Sequence, residues 1–423
     1  MHLVVTDLRE KYCLNIPAVG PKHGSTKPAT ATSGALILAV LSALLLMAAH
    51  PAHAQTETVL YSFGSQSGDG ASPYDTPIMD KEGNLYGTTL TGGTVNWGTV
   101  FKVTSSGEES VLYSFGSQSG DGDQPYAGLV MDKKGNLYGT TAGNGAHGAG
   151  TVFKATPSGE ESVFYSFGSK FPDGYEPYAG LIIDKKGNLY GTTVSGGTNH
   201  LGNVFKVTSS GEESVLYSFG SQSGDGEQPY AGLIMDKEGN LYGTTSGGGA
   251  YDSGIVFKVT PTGEETVLHS FCSQGGSYCP DGCFPLGGLI MDKKGNLYGT
   301  TNGCGASNSG TVFKLTPEGT VSVLYSFGNG PNDGYGPNAA LIMDKKGSLY
   351  GTTSGGFPES SCYGTVFEVT PAGGGTVLHN FIIGTGDGLT PYGGLAMDTK
   401  GNLYGTTSGG GANNQGTVFK VAR

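Results

Sequence analysis

The sequence predicts an all-β protein, a seven-bladed β-propeller with four antiparallel strands per blade, and three observations predict it: composition, an internal repeat, and the way the chain begins and ends. Glycine supplies 77 of 423 residues, while only 14% are charged and 10% are aromatic. Interior glycine costs a helix about 1 kcal/mol per residue, and no helical apolar period is sustained after residue 49. The glycines follow no three-residue period, which excludes collagen, and 36% hydrophobic residues with modest net charge exclude disorder.

The repeat is the second observation. Asp80-Lys81-Glu82-Gly83-Asn84-Leu85-Tyr86-Gly87-Thr88-Thr89 returns at Asp132, Asp184, Asp236, Asp292, Asp344 and Asp398, at spacings of 52, 52, 52, 56, 52 and 54. Gly98-Thr99-Val100-Phe101-Lys102 and Val59-Leu60-Tyr61-Ser62-Phe63 likewise appear at seven places with small changes. Periods of this size mark a solenoid, a propeller or an array, and a parallel β-helix would need coils about half as long.

One period holds four short strands. In the unit starting at Gly128 they are Leu129-Val130-Met131 (A), Asn136 to Thr141 (B), Thr151 to Ala155 (C) and Ser162 to Phe167 (D). The A–B turn, Asp132-Lys133-Lys134-Gly135, has an Asp to open it and a Gly to take positive φ. Thr156-Pro157-Ser158-Gly159-Glu160 makes the C–D turn. The B–C and D–A loops are long and glycine-rich, and a four-stranded meander puts both on one face. In strand D, alternation places Val163, Tyr165 and Phe167 on one side and Phe164 and Ser166 on the other. Apolar groups on both faces suit a sheet packed between neighbours. Gly139, inside strand B, is expected to make room for an aromatic ring from the adjacent sheet.

The third observation is the pair of chain ends. The sequence after residue 54 opens with a lone D strand, Thr58 to Phe63, and closes after a C strand, Thr417 to Val421. The first strand is expected to complete the last blade. Residues 1–54 stand apart. Arg9, Lys11, Lys22 and Lys27 precede an apolar run from Ala35 to Ala49, followed by Ala52-His53-Ala54. This reads as a signal peptide with a long n-region and an A-x-A cleavage site; fifteen residues are short for a membrane anchor needing about 20. The propeller then occupies 55–423. Removing four basic and two acidic residues with the signal leaves 19 basic against 33 acidic. Nucleic acid and anionic membrane are poor partners for such a chain.

The D-K-x-G-N-L-Y-G-T-T, G-T-V-F-K-V-T-P and V-L-Y-S-F blocks resemble the repeat of the bacterial choice-of-anchor tandem repeat GloVer-containing proteins, from Glu57 to Arg423, and more distantly the NHL propeller pattern. The resemblance implies an exported bacterial repeat protein, often tethered by a C-terminal sorting signal, and brings no catalytic residues. Here the sequence closes on Val421-Ala422-Arg423 with no apolar tail, so a secreted or periplasmic monomer is expected.

Candidate functional residues lie on the loop face. Every D–A loop carries D-G-x-x-P, through Asp69, Asp121, Asp173, Asp225, Asp281, Asp333 and Asp387. Seven carboxylates could ring the channel mouth as Ca²⁺ ligands; alternatively each Asp caps its own loop through backbone N–H groups. Trp97, His147, His200, Tyr251, Phe357 and Tyr363 in B–C loops, with Phe171, Tyr175 and Tyr335 in D–A loops, are candidates to stack on sugars or meet a protein, or else to cover the core. His147 and His200 could also pair on a metal. His269 and His379 take the Tyr place of strand D and read as packing substitutions.

Five cysteines remain after export, Cys272, Cys279, Cys283, Cys304 and Cys362, and an oxidising compartment favours pairing. Cys272 with Cys279 and Cys283 with Cys304 is the expected set, leaving Cys362, with Cys304–Cys362 as the competitor. The residues preceding strand A, such as Gly128, Gly180 and Gly288, offer no base. A binding or scaffolding propeller for a polysaccharide or an extracellular protein is therefore favoured over an extracellular lyase or hydrolase using the channel, with no cofactor required.

Overall fold

The computed structural model describes residues 57–273, 279–330, 333–356 and 361–423. The expected signal segment and Phe357 lie outside them. Among the described residues there is no helix, and seven four-stranded antiparallel sheets each run A-B-C-D from the channel outward. In the second blade the strands are Val130–Met131, Leu137–Thr141, Thr151–Ala155 and Glu161–Ser166. Each lies within a residue or so of the expected bounds.

The turns form for the reasons their residues supply. Asp132 Oδ1 accepts the backbone N–H of Lys134 at 2.8 Å and of Asn136 at 2.9 Å, Oδ2 accepts the Asn136 amide at 2.7 Å, and Gly135 sits at φ 82°. On the opposite face the long loops are not plain coil. Gly122–Asp123 pairs with Gly143–Asn144, and like ribbons tie the D–A and B–C loops at most seams. Between blades four and five a single Cys283–Gly303 bridge takes that place, beside the Cys283–Cys304 disulfide.

The outer strands correct the expected alternation. In all seven blades the C–D register slips by one residue: Val152 faces Tyr165 while Phe153 faces Val163, leaving Phe164 as a bulge. The extra residue turns Phe164 to the same side as Tyr165 and Phe167, and all three pack into the cluster shared with blade three, while Val163 is exposed. Gly139 also differs from expectation. The ring it accommodates is that of Phe153, its own cross-strand partner, whose Cζ would lie 2.6 Å from a Cβ at Gly139.

The core is distributed between blades in seven clusters, one per seam. Each seam carries an edge-to-face phenylalanine pair at 4.9–5.1 Å between ring centroids, from Phe63–Phe101 round to Phe381–Phe419. The ring is closed as expected. Glu57–Ser62 is strand D of the last blade, beside Thr417–Val421, with Val59 opposite Phe419 and Tyr61 opposite Val418.

Candidate functional site

The inner strands converge on a channel, and its mouth on the loop face is set by the residues just before strand A. There the repeat reads Pro-Tyr followed by two small residues: Tyr126-Ala127-Gly128, Tyr178-Ala179-Gly180, Tyr230-Ala231-Gly232 and Tyr392-Gly393-Gly394. A threonine from strand B of each preceding blade fixes this segment. Thr140 Oγ1 donates to Ala179 O at 3.1 Å, Thr192 Oγ1 to Ala231 O at 3.1 Å, and Thr406 Oγ1 to Asp75 O at 2.7 Å. The small residues keep the throat open, and the tyrosines rim it.

These four rings and that of Tyr74, which holds the same place in the first blade, touch in an unbroken arc. Tyr392 stacks on Tyr74 with centroids 4.8 Å apart, Tyr74 meets Tyr126 at 5.7 Å, Tyr126 meets Tyr178 at 4.9 Å, and Tyr178 meets Tyr230 at 5.8 Å. Leu286 and Asn338 occupy the remaining two places, and the cavity they all line is about 360 Å³. Burial, then neighbouring tyrosines for Tyr74 and Glu176 with neighbouring tyrosines for Tyr178, push both hydroxyls above their ordinary pKa, so they remain neutral donors.

One acidic side chain lines this cavity, Asp75. It stands where other repeats have Ala or Gly, so the expectation that positions before strand A offer no base is corrected for the first blade. The carboxylate is walled in by protein at the throat although the channel still exposes part of its surface, and it reaches the space that Gly128 leaves vacant. Burial raises its pKa to about 7, against hydrogen bonds from Thr76 that lower it. Its signal in the sequence was a departure from the repeat. The tyrosine arc was harder to see, because a residue repeated in register reads as packing until the blades are set in a circle.

The D-G-x-x-P aspartates are loop caps. Asp121 Oδ2 accepts the Tyr113 hydroxyl and the Gly116 N–H, each at 2.7 Å, while Oδ1 accepts the Gly122 N–H at 3.0 Å. Asp69, Asp173, Asp225 and Asp333 repeat this pattern, and in Asp281 and Asp387 the hydroxyl is replaced by His269 at 3.2 Å and His379 at 2.9 Å. Each is tied to the outermost strand of its blade, so the seven do not ring the channel mouth as the Ca²⁺ reading required.

The loop aromatics are dealt around the rim. Trp97, His147, Tyr175, His200 and Tyr251 are exposed, and Tyr335 and Tyr363 half-buried. Trp97 packs over Gly116, and Tyr335 lines a pocket of about 440 Å³ with the Cys283–Cys304 disulfide. His147 and His200 belong to no group of three close ligand side chains among the described residues. Both expected disulfides form, Cys272–Cys279 and Cys283–Cys304; the Cys304–Cys362 alternative does not, and Cys362, expected to be left over, carries no free thiol. No helix among the described residues is long and apolar enough to cross a membrane.

A family model described as the Gloeobacter/Verrucomicrobia repeat matches residues 45–182, 121–283 and 278–423. No curated protein matches the chain. Among solved structures, the chain is similar to the periplasmic gluconolactonase PpgL of Pseudomonas aeruginosa, at 16% identity and a TM-score of 0.45 over 83% of this chain and 94% of that one. It is also similar to a protein provisionally named a gluconolactonase, at 14% identity and a TM-score of 0.41 over 88% and 93%.

Proposed function

The chain belongs to the Gloeobacter/Verrucomicrobia repeat family, and from that premise we propose that it is an exported binding propeller that takes the sugar rings of a polysaccharide at the tyrosine-rimmed mouth of its channel. The carrying observation is the contiguous arc of five tyrosines on the face that also bears the variable loops. Ring faces stack on the C–H face of a pyranose, and neutral hydroxyls and the Asn338 amide hydrogen-bond its hydroxyls. A neutral glycan also suits an acidic protein better than a polyanion does. Exposed Trp97, Tyr175 and Tyr251 extend the surface for a longer chain.

The test is a glycan array followed by calorimetry on the strongest hit. Tyr126→Ala and Tyr178→Ala are expected to weaken binding by about 2–12-fold each, whereas Tyr251→Ala on the rim has a smaller effect. Absence of glycan binding, or loss confined to the rim variant, would refute the reading.

Asp75 favours a second reading. A lone carboxylate with a pKa of about 7 is poised as a general base. Glycoside hydrolysis uses two carboxylates, and the cavity supplies one, so the fitting class is a lyase acting on a uronate-containing glycan: Asp75 takes the C5 proton, a C4–C5 double bond forms as the C4–O bond breaks, and a rim tyrosine hydroxyl or solvent protonates the leaving oxygen. Product release from a bound glycan, abolished in Asp75→Asn with binding retained, would identify the enzyme.

A further inference from the structure

At the seam between the sixth and last blades, far from the channel, three potential metal ligands meet. Glu57 opens the closing strand D, His379 lies in strand D of the sixth blade, Gly375–Ile382, and Asp387 caps the loop between those blades. One ligand atom from each lies within 4.8 Å of the others, the His379 Nε2 to Asp387 Oδ2 distance being 2.9 Å. Among the described residues no other group of three such side chains is this close. Glu57 Oε1 is buried without a hydrogen-bond partner, as is Oε1 of Glu109, Glu161, Glu213 and Glu265 at other seams, and the three ligand residues line a pocket of about 320 Å³ open to solvent.

Comparison of this seam with its counterparts within the same chain shows two coupled changes. Glu109, Glu161, Glu213 and Glu265 occupy the place of Glu57 at other seams, and each is met by a donor from the loop it faces: Gln66 at 3.0 Å, Gln118 at 2.7 Å, Lys170 at 3.2 Å and Gln222 at 2.7 Å. The equivalent position facing Glu57 is Gly384, which has no side chain to donate. At those four seams, moreover, the Asp is bound by a tyrosine hydroxyl, whereas here it is bound by an imidazole. His269 makes the same substitution at the seam of blades four and five, but the glutamate place there is Val321. Among the described residues, the seam between the sixth and last blades alone keeps the glutamate, lacks the facing donor side chain and carries a nitrogen ligand.

We propose that Glu57, His379 and Asp387 bind a divalent transition metal, Zn²⁺ by ligand preference, which staples the first strand of the propeller to the neighbouring blade. One imidazole and two carboxylates suit Zn²⁺ better than Ca²⁺, which takes six to eight oxygens, and solvent in the pocket completes a four-coordinate shell. The ion replaces the missing Gln or Lys as countercharge and bridges residues about 320 positions apart in sequence.

Purified protein stripped with EDTA and titrated with zinc sulfate is expected to bind one Zn²⁺ per chain and to melt at higher temperature, because the ion binds the folded state alone. His379→Tyr restores the residue that five other blades carry and should fold, but bind Zn²⁺ at least about 10-fold more weakly and lose the Zn²⁺-dependent rise in Tm; Glu57→Gln should do the same. Absence of stoichiometric Zn²⁺ uptake, or uptake unchanged in both variants, would overturn the proposal. A rise in Tm with Ca²⁺ equal to that with Zn²⁺ would overturn the choice of metal.

Discussion

A glycine in the centre of strand B is costly in isolation, and its repetition in all seven blades has a single cause. The phenylalanine directly opposite lies flat over it, with Phe153 Cζ and Cε1 at 2.6 and 2.8 Å from where a Cβ would stand at Gly139, and the same ring meets Phe115 of the preceding blade at 5.0 Å. The vacancy thus lets one ring serve both the sheet and the seam. Gly139→Val is expected to destabilise the protein by about 1–3 kcal/mol, read as a lower Tm in a thermal melt, whereas Val163→Thr at the exposed bulge neighbour should change it little. Equal effects would show that the close approach does not govern the site. The capping aspartates belong to the same scale: their residue type and position were plain in the sequence, but whether a carboxylate points into a channel or back into its own loop depends on which strand carries its hydroxyl partner.

At the scale of elements, the strand that opens the propeller is an outer strand whose sheet lies at the other end of the chain. Leu60, Tyr61 and Phe63 pack into the seam with the first blade, and His379 and Phe381 meet the closing blade at the other seam. Burial of the three side chains is worth about 5 kcal/mol, at 1.5–3 kcal/mol per fully buried group with two of them only partly covered. Deleting residues 57–63 should lower Tm, broaden the transition and expose the Thr417–Val421 edge, so that self-association appears in size-exclusion chromatography. An unchanged cooperative melt would mean that closure is not what holds the ring.

For the whole molecule, two sets of carboxyl groups oppose each other. Burial first, and then the capping Asp of the adjoining loop, raises Glu57, Glu109, Glu161 and Glu265 to about 7. The fold therefore favours their protonated form, a contribution present below their ordinary value of 4.5 and lost as pH rises through about 7. The turn aspartates behave oppositely. Burial alone would raise Asp80, Asp132 and Asp184, but hydrogen bonds from Asn side chains and backbone N–H groups hold them below 3.8. Their contribution is present above 3.8 and lost as pH falls through the lower folded value. Tm should peak at about pH 4–5 and decline toward neutrality, gently, because these side chains keep part of their surface in water. A melt series in which Tm climbs from pH 5 to 8 would contradict this.

Strand count, blade number, turn chemistry and two cysteine pairs were legible in the sequence alone, because a repeat in register repeats its local physics, and closure by the first strand was legible because counting repeats leaves a D strand over at Thr58 and the last blade without one. The bulge that turns Phe164 inward, the ring that fills the space at Gly139, the tyrosine arc with Asp75 at the throat, and the meeting of Glu57 with His379 and Asp387 were decided by the tertiary structure. Each depends on which blades become neighbours and on how far each strand slips against the next. Those distances arise only when seven twisted sheets are bent into a circle and must fill its centre and seams together.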